Sequence, residues 1–106
     1  MSVDTLAISP EGPRGLRLAG ELDLRSLPPF SAAFAALPPK GQATLDLSGL
    51  TFIDSSGLHA IEEIARAQNG NGPLILTGTP ATVARLLEIT NLARHPGLEI
   101  RTGVRG

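Results

Sequence analysis

The sequence has no cysteine, no tryptophan and no tyrosine, and only three phenylalanines. Without cysteine, disulfides and thiol chemistry are excluded. With so few aromatics, a core has to be built mainly from Leu, Ile, Val and Ala. No apolar run approaches the roughly 20 residues of a membrane-spanning helix, so no membrane insertion is expected. No basic-then-apolar leader opens the chain, which reads as an unprocessed cytoplasmic protein. Nine basic and ten acidic residues leave a formal charge of −1. Nucleic acid and anionic membranes usually call for a clustered basic surface, and nothing here suggests one. A length of 106 residues fits one domain, 1–106, and there is no internal repeat.

Hydrophobic periodicity gives the order of elements. Val3 to Ser9 reads as a strand, Pro10-Glu11-Gly12-Pro13 as a turn, and Leu16 to Leu22 as a second strand, the two forming a hairpin. Asp23, between that strand and a helix, is expected to be an exposed turn residue. Ser26 is placed to cap the helix, with Pro28 and Pro29 in its first turn and Leu27, Phe30, Phe34 and Leu37 as its buried stripe. Pro38-Pro39 ends it. A third strand, Ala43 to Leu47, leads through Ser48-Gly49-Leu50 to the stretch around which the chain is organised, Thr51-Phe52-Ile53-Asp54-Ser55-Ser56-Gly57-Leu58.

From there a helix runs over about Ser56 to Gln68. Leu58, Ile61, Ile64 and Ala65 line one side, and His59, Glu62, Glu63 and Arg66 the other. Glu62 and Arg66 are spaced for an i,i+4 pair. Asn69-Gly70-Asn71-Gly72-Pro73 ends this helix. Leu74-Ile75-Leu76 has the unbroken apolar character of a strand covered on both faces. Thr79-Pro80 opens a third helix as cap and first residue, with Val83, Leu86, Leu87 and Thr90 inward. Leu98 to Arg101 is a last, edge strand, and Thr102 to Gly106 a tail. From the second strand on, strands and helices alternate. The expected class is therefore α/β, β-β-α-β-α-β-α-β, with a mixed sheet of about five strands and three main helices.

The stretch Asp54 to Gly57 puts short polar side chains at a helix N-terminus, where backbone N–H groups lack partners and the dipole is positive. Asp54 or Ser55 can cap those donors. The remaining hydroxyl is left at the surface. Asp54, Ser55, Ser56 and His59 contain the residue types of a hydrolase triad. However, the Gly-x-Ser-x-Gly elbow is absent, and residues this close along one helical turn rarely converge on one atom. His59 and His95 are far apart with no carboxylate cluster at ligand spacing, so no metal is expected. Phosphate-loop and dinucleotide fingerprints are absent, and no cofactor is expected.

Three segments carry a family resemblance. Asp46-Leu47-Ser48 followed by Phe52-Ile53-Asp54-Ser55-Ser56-Gly57-Leu58 resembles the signature of STAS-domain anti-sigma factor antagonists (anti-anti-sigma factors). Leu18-Ala19-Gly20-Glu21-Leu22-Asp23 resembles the family's Gly-Glu-Leu-Asp turn, and Val83 to Leu92 its third helix. The resemblance runs from about Val3 to Ile100. It implies a single STAS-type domain and a cytoplasmic bacterial protein that regulates transcription by binding rather than catalysis. The implied partners are an anti-sigma serine kinase of the histidine-kinase-like ATPase fold and a PP2C-type phosphatase. Ser55 is the implied phosphorylation site. Asp23, Asp54, Ser56, Gly57, His59, Glu62, Glu63 and Arg66 are the implied partner surface. Family members usually carry one more helix after the last strand, and this sequence shows none. The alternative within the resemblance is a STAS regulatory subunit with no sigma factor, for example of a lipid or anion transporter or a sensory complex.

Overall fold

The computed structural model describes residues 6–38, 41–68 and 72–101. Val3 to Thr5, Pro39, Asn69 to Asn71 and the tail Thr102 to Gly106, all assigned roles above, lie outside these. In chain order the strands are β1 (Leu6–Pro10), β2 (Gly15–Leu22), β3 (Thr44–Ile53), β4 (Leu74–Thr77) and β5 (Leu98–Arg101). The helices are α1 (Leu27–Ala35), α2 (Ser55–Ala67) and α3 (Ala81–Ile89), with single 3₁₀ turns at Leu24–Ser26 and Leu92–Arg94.

The strands lie in the order β1-β2-β3-β4-β5. β1 pairs antiparallel with β2, as a short Pro/Gly turn dictates; the other pairs are parallel, because a helix returns the chain each time. This is the mixed five-stranded sheet with three helices expected from the alternation.

Register places Leu16, Leu45, Leu76 and Ile100 side by side across four strands. These belong to one core together with Phe30 of α1, Leu58, Ile61 and Ala65 of α2, and Val83 and Leu87 of α3. The core thus lies on one face of the sheet. The opposite face carries a polar row in register, Ser9, Arg17, Asp46, Thr77 and Arg101. Arg17 and Asp46 approach to 3.7 Å. Ile75 points to this second face between Thr44 and Glu99 and is still buried, so β4 is covered on both sides as its composition suggested.

Four local readings are corrected. First, β3 does not end at Leu47. It continues through Ser48-Gly49-Leu50 to Ile53, with two irregularities in its register against β2. Each adds a residue to β3, so its buried positions fall at Leu45, Leu47, Leu50 and Ile53 instead of strictly alternating. Gly49 suits the tight approach there: a Cβ would stand 2.8 Å from that of Ala19. Second, Ser26 does not cap α1 through its side chain. Its hydroxyl instead accepts from the Asp23 N–H at 3.0 Å and lies within hydrogen-bond distance of the Glu21 and Asp23 carbonyls, completing a capping box on the preceding 3₁₀ turn. Third, Pro80 and not Thr79 is the cap of α3, its carbonyl accepting from the Ala84 N–H. The buried Thr79 hydroxyl has no hydrogen-bond partner among the described residues. Thr90, expected to face inward, is exposed and bonds back to the Leu86 carbonyl at 2.7 Å.

Candidate functional site at the end of strands β2 and β3

β2 and β3 end together, Leu22 beside Ile53. The next residues, Asp23 and Asp54, therefore emerge at the same edge, and α2 begins there. The Asp54 N–H donates to the Leu22 carbonyl at 3.3 Å, tying the two strand ends. Asp54 has extended backbone, and its Oδ1 accepts from the Gly57 N–H at 3.0 Å. Of the two candidate caps, the structure selects Asp54. The first helical bond runs from the Leu58 N–H to the Asp54 carbonyl. The N–H groups of Ser55 and Ser56 are left at the positive end of the helix, where no helical carbonyl reaches them. Ser55 is exposed and Ser56 half-buried.

Gly57 is buried. A Cβ on it would lie 2.6 Å from the Leu22 carbonyl oxygen and 2.8 Å from Ile53 Cγ1. The first turn of α2 is thus pressed onto the end of β2. Gly57 can shape the edge but offers no side chain to a partner.

Asp23 departs from expectation. It is 7% exposed, a buried residue and not a free turn carboxylate. Its Oδ1 accepts from the Arg25 backbone N–H at 3.0 Å and Nε at 3.4 Å, and its Oδ2 from Arg25 Nη2 at 2.7 Å. Arg25 Nη2 also donates to Glu21 Oε1 at 2.9 Å. The Arg25 guanidinium holds the Asp23 carboxyl below the ordinary carboxylate range, and Asp23 in turn holds the arginine above its ordinary value.

The remaining polar residues run down α2. His59, Glu63 and Arg66 are exposed and Glu62 is half-buried. Arg66 donates to Glu62 at 3.0 Å and to Glu63 at 2.8 Å, and His59 lies 3.5 Å from Glu63. The structure therefore gathers Asp23, Asp54, Ser55, Ser56 and Gly57 at one corner. The stripe from His59 to Arg66 extends roughly 16 Å away along the helix. Sequence reasoning missed three residues at this corner: Arg25, Leu24 and Phe52. Leu24 is 69% exposed and Phe52 49%, two large apolar side chains left in water beside the strand ends. The signal was present, since Leu24 and Arg25 flank the Asp23 turn and Phe52 falls outside the buried set of β3. Among the described residues no group of three or more metal-ligating side chains comes together, and no helix is long and apolar enough to cross a membrane.

A two-layer α/β domain with a capped serine turn at the end of its central parallel strands is the architecture of a STAS domain, and the comparisons agree. Residues 6–101 match the family profile described as Mlab, STAS domain, and the chain belongs to that family. Its fold is that of the structure of the anti-sigma factor antagonist SpoIIAA in its unphosphorylated form. The TM-score is 0.66 at 20% identity, over 92% of this chain and 88% of that one. Curated protein sequences give no match.

Proposed function

We propose that this STAS domain is an anti-sigma factor antagonist working in a phosphorylation-controlled partner switch. The observation that carries the reading is Ser55: an exposed hydroxyl in the first turn of α2, next to a capping carboxylate that already satisfies the Gly57 N–H. The serine is therefore not needed as a cap and is free to be modified. In this reading the unphosphorylated domain binds an anti-sigma serine kinase of the histidine-kinase-like ATPase fold and so frees the sigma factor. The kinase phosphorylates Ser55, and a PP2C-type phosphatase reverses it. The domain acts by binding, without catalysis or cofactor, in the bacterial cytoplasm. Its partner surface spreads from Asp54, Ser55 and Ser56 along His59, Glu62, Glu63 and Arg66, with Asp23 and Gly57 behind it.

A phosphate adds about −1.5 to −2 charges and three acceptor oxygens. Within the domain this charge meets the unpaired N–H groups and positive dipole of α2, so the fold tolerates it. A docked protein surface does not, because the phosphate occupies volume and must be desolvated beside Asp54. Each ~1.4 kcal/mol of that penalty weakens binding tenfold. The test is incubation with the cognate anti-sigma serine kinase and ATP, followed by site mapping. Phosphate is expected on Ser55, with partner binding lost on modification and retained in Ser55→Ala. Phosphate on Ser56 alone, or on neither serine, refutes the reading.

A second reading is favoured by one observation: the matching profile carries the name Mlab and no mention of sigma factors. In that case the same surface serves a regulatory subunit of a transporter or sensory complex. A gene neighbourhood with transporter subunits and no ATPase-fold kinase would select it.

A further inference from the structure

Both oxygens of the Asp23 carboxylate are committed inside the chain, and the residue is buried. It has little left to offer another protein. Arg25 is the reverse. Its side chain is 66% exposed, yet its position is fixed by two carboxylates, Asp23 and Glu21. An arginine has five N–H donors in a planar fork. Here Nε and Nη2 are turned inward onto Asp23 and Glu21, while Nη1 meets no acceptor among the described residues. A long side chain that ordinarily samples many rotamers is thus held with one edge of the fork facing out. Restraint of this kind lowers the ordering cost of making a new contact. Glu21 pairs with Phe52 across the strands, and Leu24 precedes Arg25, so the same corner carries two exposed apolar side chains. Apolar side chains around an ordered arginine are the composition of an interface centre.

We propose that Arg25 is the cation of this edge that contacts the protein partner, through a carboxylate on that partner, and that Asp23 is its positioning residue and not itself a contact. The inference rests on the partner switch proposed above and names the group that grips the partner. A carboxylate fits because it is an acceptor-only anion, and a charge-assisted hydrogen bond from the unpartnered Nη1 is stronger than one to a neutral acceptor.

The test is a double-mutant cycle on the full chain: wild type, Asp23→Asn, Arg25→Gln, the double variant, and Arg25→Lys. Asn retains an acceptor for the Arg25 backbone N–H, so the 3₁₀ turn keeps its cap while the carboxylate charge that holds the guanidinium is removed. Affinity for the cognate anti-sigma serine kinase of the proposed switch is measured by calorimetry at several salt concentrations. Arg25→Gln is expected to weaken binding on the order of tenfold and to flatten its salt dependence, with Arg25→Lys in between. Asp23→Asn is expected to weaken binding in the wild-type background and to change it by less than about twofold in the Arg25→Gln background. The arginine Nε–H of Arg25 is expected to exchange slowly in the free wild type and to lose that protection in Asp23→Asn. Binding within about twofold of wild type for Arg25→Gln, or an undiminished Asp23→Asn loss in its absence, overturns the inference. If binding remains sensitive to phosphorylation at Ser55 in either case, the partner switch stands and only this assignment falls. A kinase that does not bind the wild-type domain overturns both.

Discussion

Replacing Gly57 by alanine adds one methyl group at the tightest point of the candidate site. Two effects oppose each other. Alanine in place of glycine inside a helix ordinarily stabilises by about 0.5–1 kcal/mol. Here the added carbon would stand 2.6 Å from the Leu22 carbonyl oxygen, 2.8 Å from Ile53 Cγ1 and 3.0 Å from Leu22 Cγ. The nearest atom is backbone, held in the sheet by β2–β3 pairing, so it cannot swing aside as a side-chain tip would. Overpacking of this kind costs typically about 1–3 kcal/mol. The packing term is the larger, and a net loss of about 1–2 kcal/mol is expected. For a chain of this size, each kcal/mol lowers Tm by roughly 4–8 °C. Gly57→Ala should therefore melt several degrees below wild type in a calorimetric or circular-dichroism scan, with a broadened amide signal for Asp54, whose N–H reaches Leu22. A variant equal to or more stable than wild type would show that only helix propensity is felt at position 57. The start of α2 would then not be pressed on the end of β2.

Three further outcomes follow from the same corner. Ser55→Asp should fold normally, with Tm unchanged or raised by the equivalent of about 0.3–1 kcal/mol, since a negative charge sits well at a helix start; gross destabilisation in a thermal scan would make Ser55 a structural residue. Asp54→Ala should lose about 1 kcal/mol in urea unfolding through the lost cap to Gly57, and Asp54→Asn much less. The Asp23 carboxyl is held below its unfolded value, chiefly by the hydrogen bond from the Arg25 side chain. Its contribution to stability is therefore present above the unfolded carboxylate range and is lost as pH falls through about 4 and below; in Asp23→Asn the acid limb of the stability profile should flatten, and an unchanged limb would contradict the Asp23–Arg25 pairing.

Most of the fold was legible because local signals agreed with the tertiary outcome. The apolar stripe of α2, Leu58, Ile61 and Ala65, faces the core as its spacing required, and β4 is buried as its composition required. The misreadings have identifiable physical causes. The inward residues of β3 are spaced two, three and three apart, so a period-two pattern stops where the first irregularity begins. Only the partner strand shows that Ser48 to Ile53 is still paired. A serine one residue ahead of Pro-Pro has the pattern of a cap for α1, but the preceding 3₁₀ turn engages the Ser26 hydroxyl instead. At the candidate site, the adjacency of Asp23 and Ser55 was legible from parallel connectivity. The burial of Asp23 was not, because it depends on Arg25 folding back over it, a contact between exposed-looking residues two positions apart.

β4 pairs with β3 only from Thr44 to Asp46, whereas β3 runs on to Ile53. The corner that carries Ser55 thus stands on a ribbon of two strands that projects past the rest of the sheet. Amide exchange should report this geometry. The last residues of β3 are hydrogen-bonded across the sheet to β2 alone, so their protons should exchange ahead of those of Leu45 and Leu76, which are paired on both sides in the middle of the sheet. A partner seated on the corner would slow exchange first along this ribbon, giving a footprint in which docking is read from the backbone of Gly49 to Ile53.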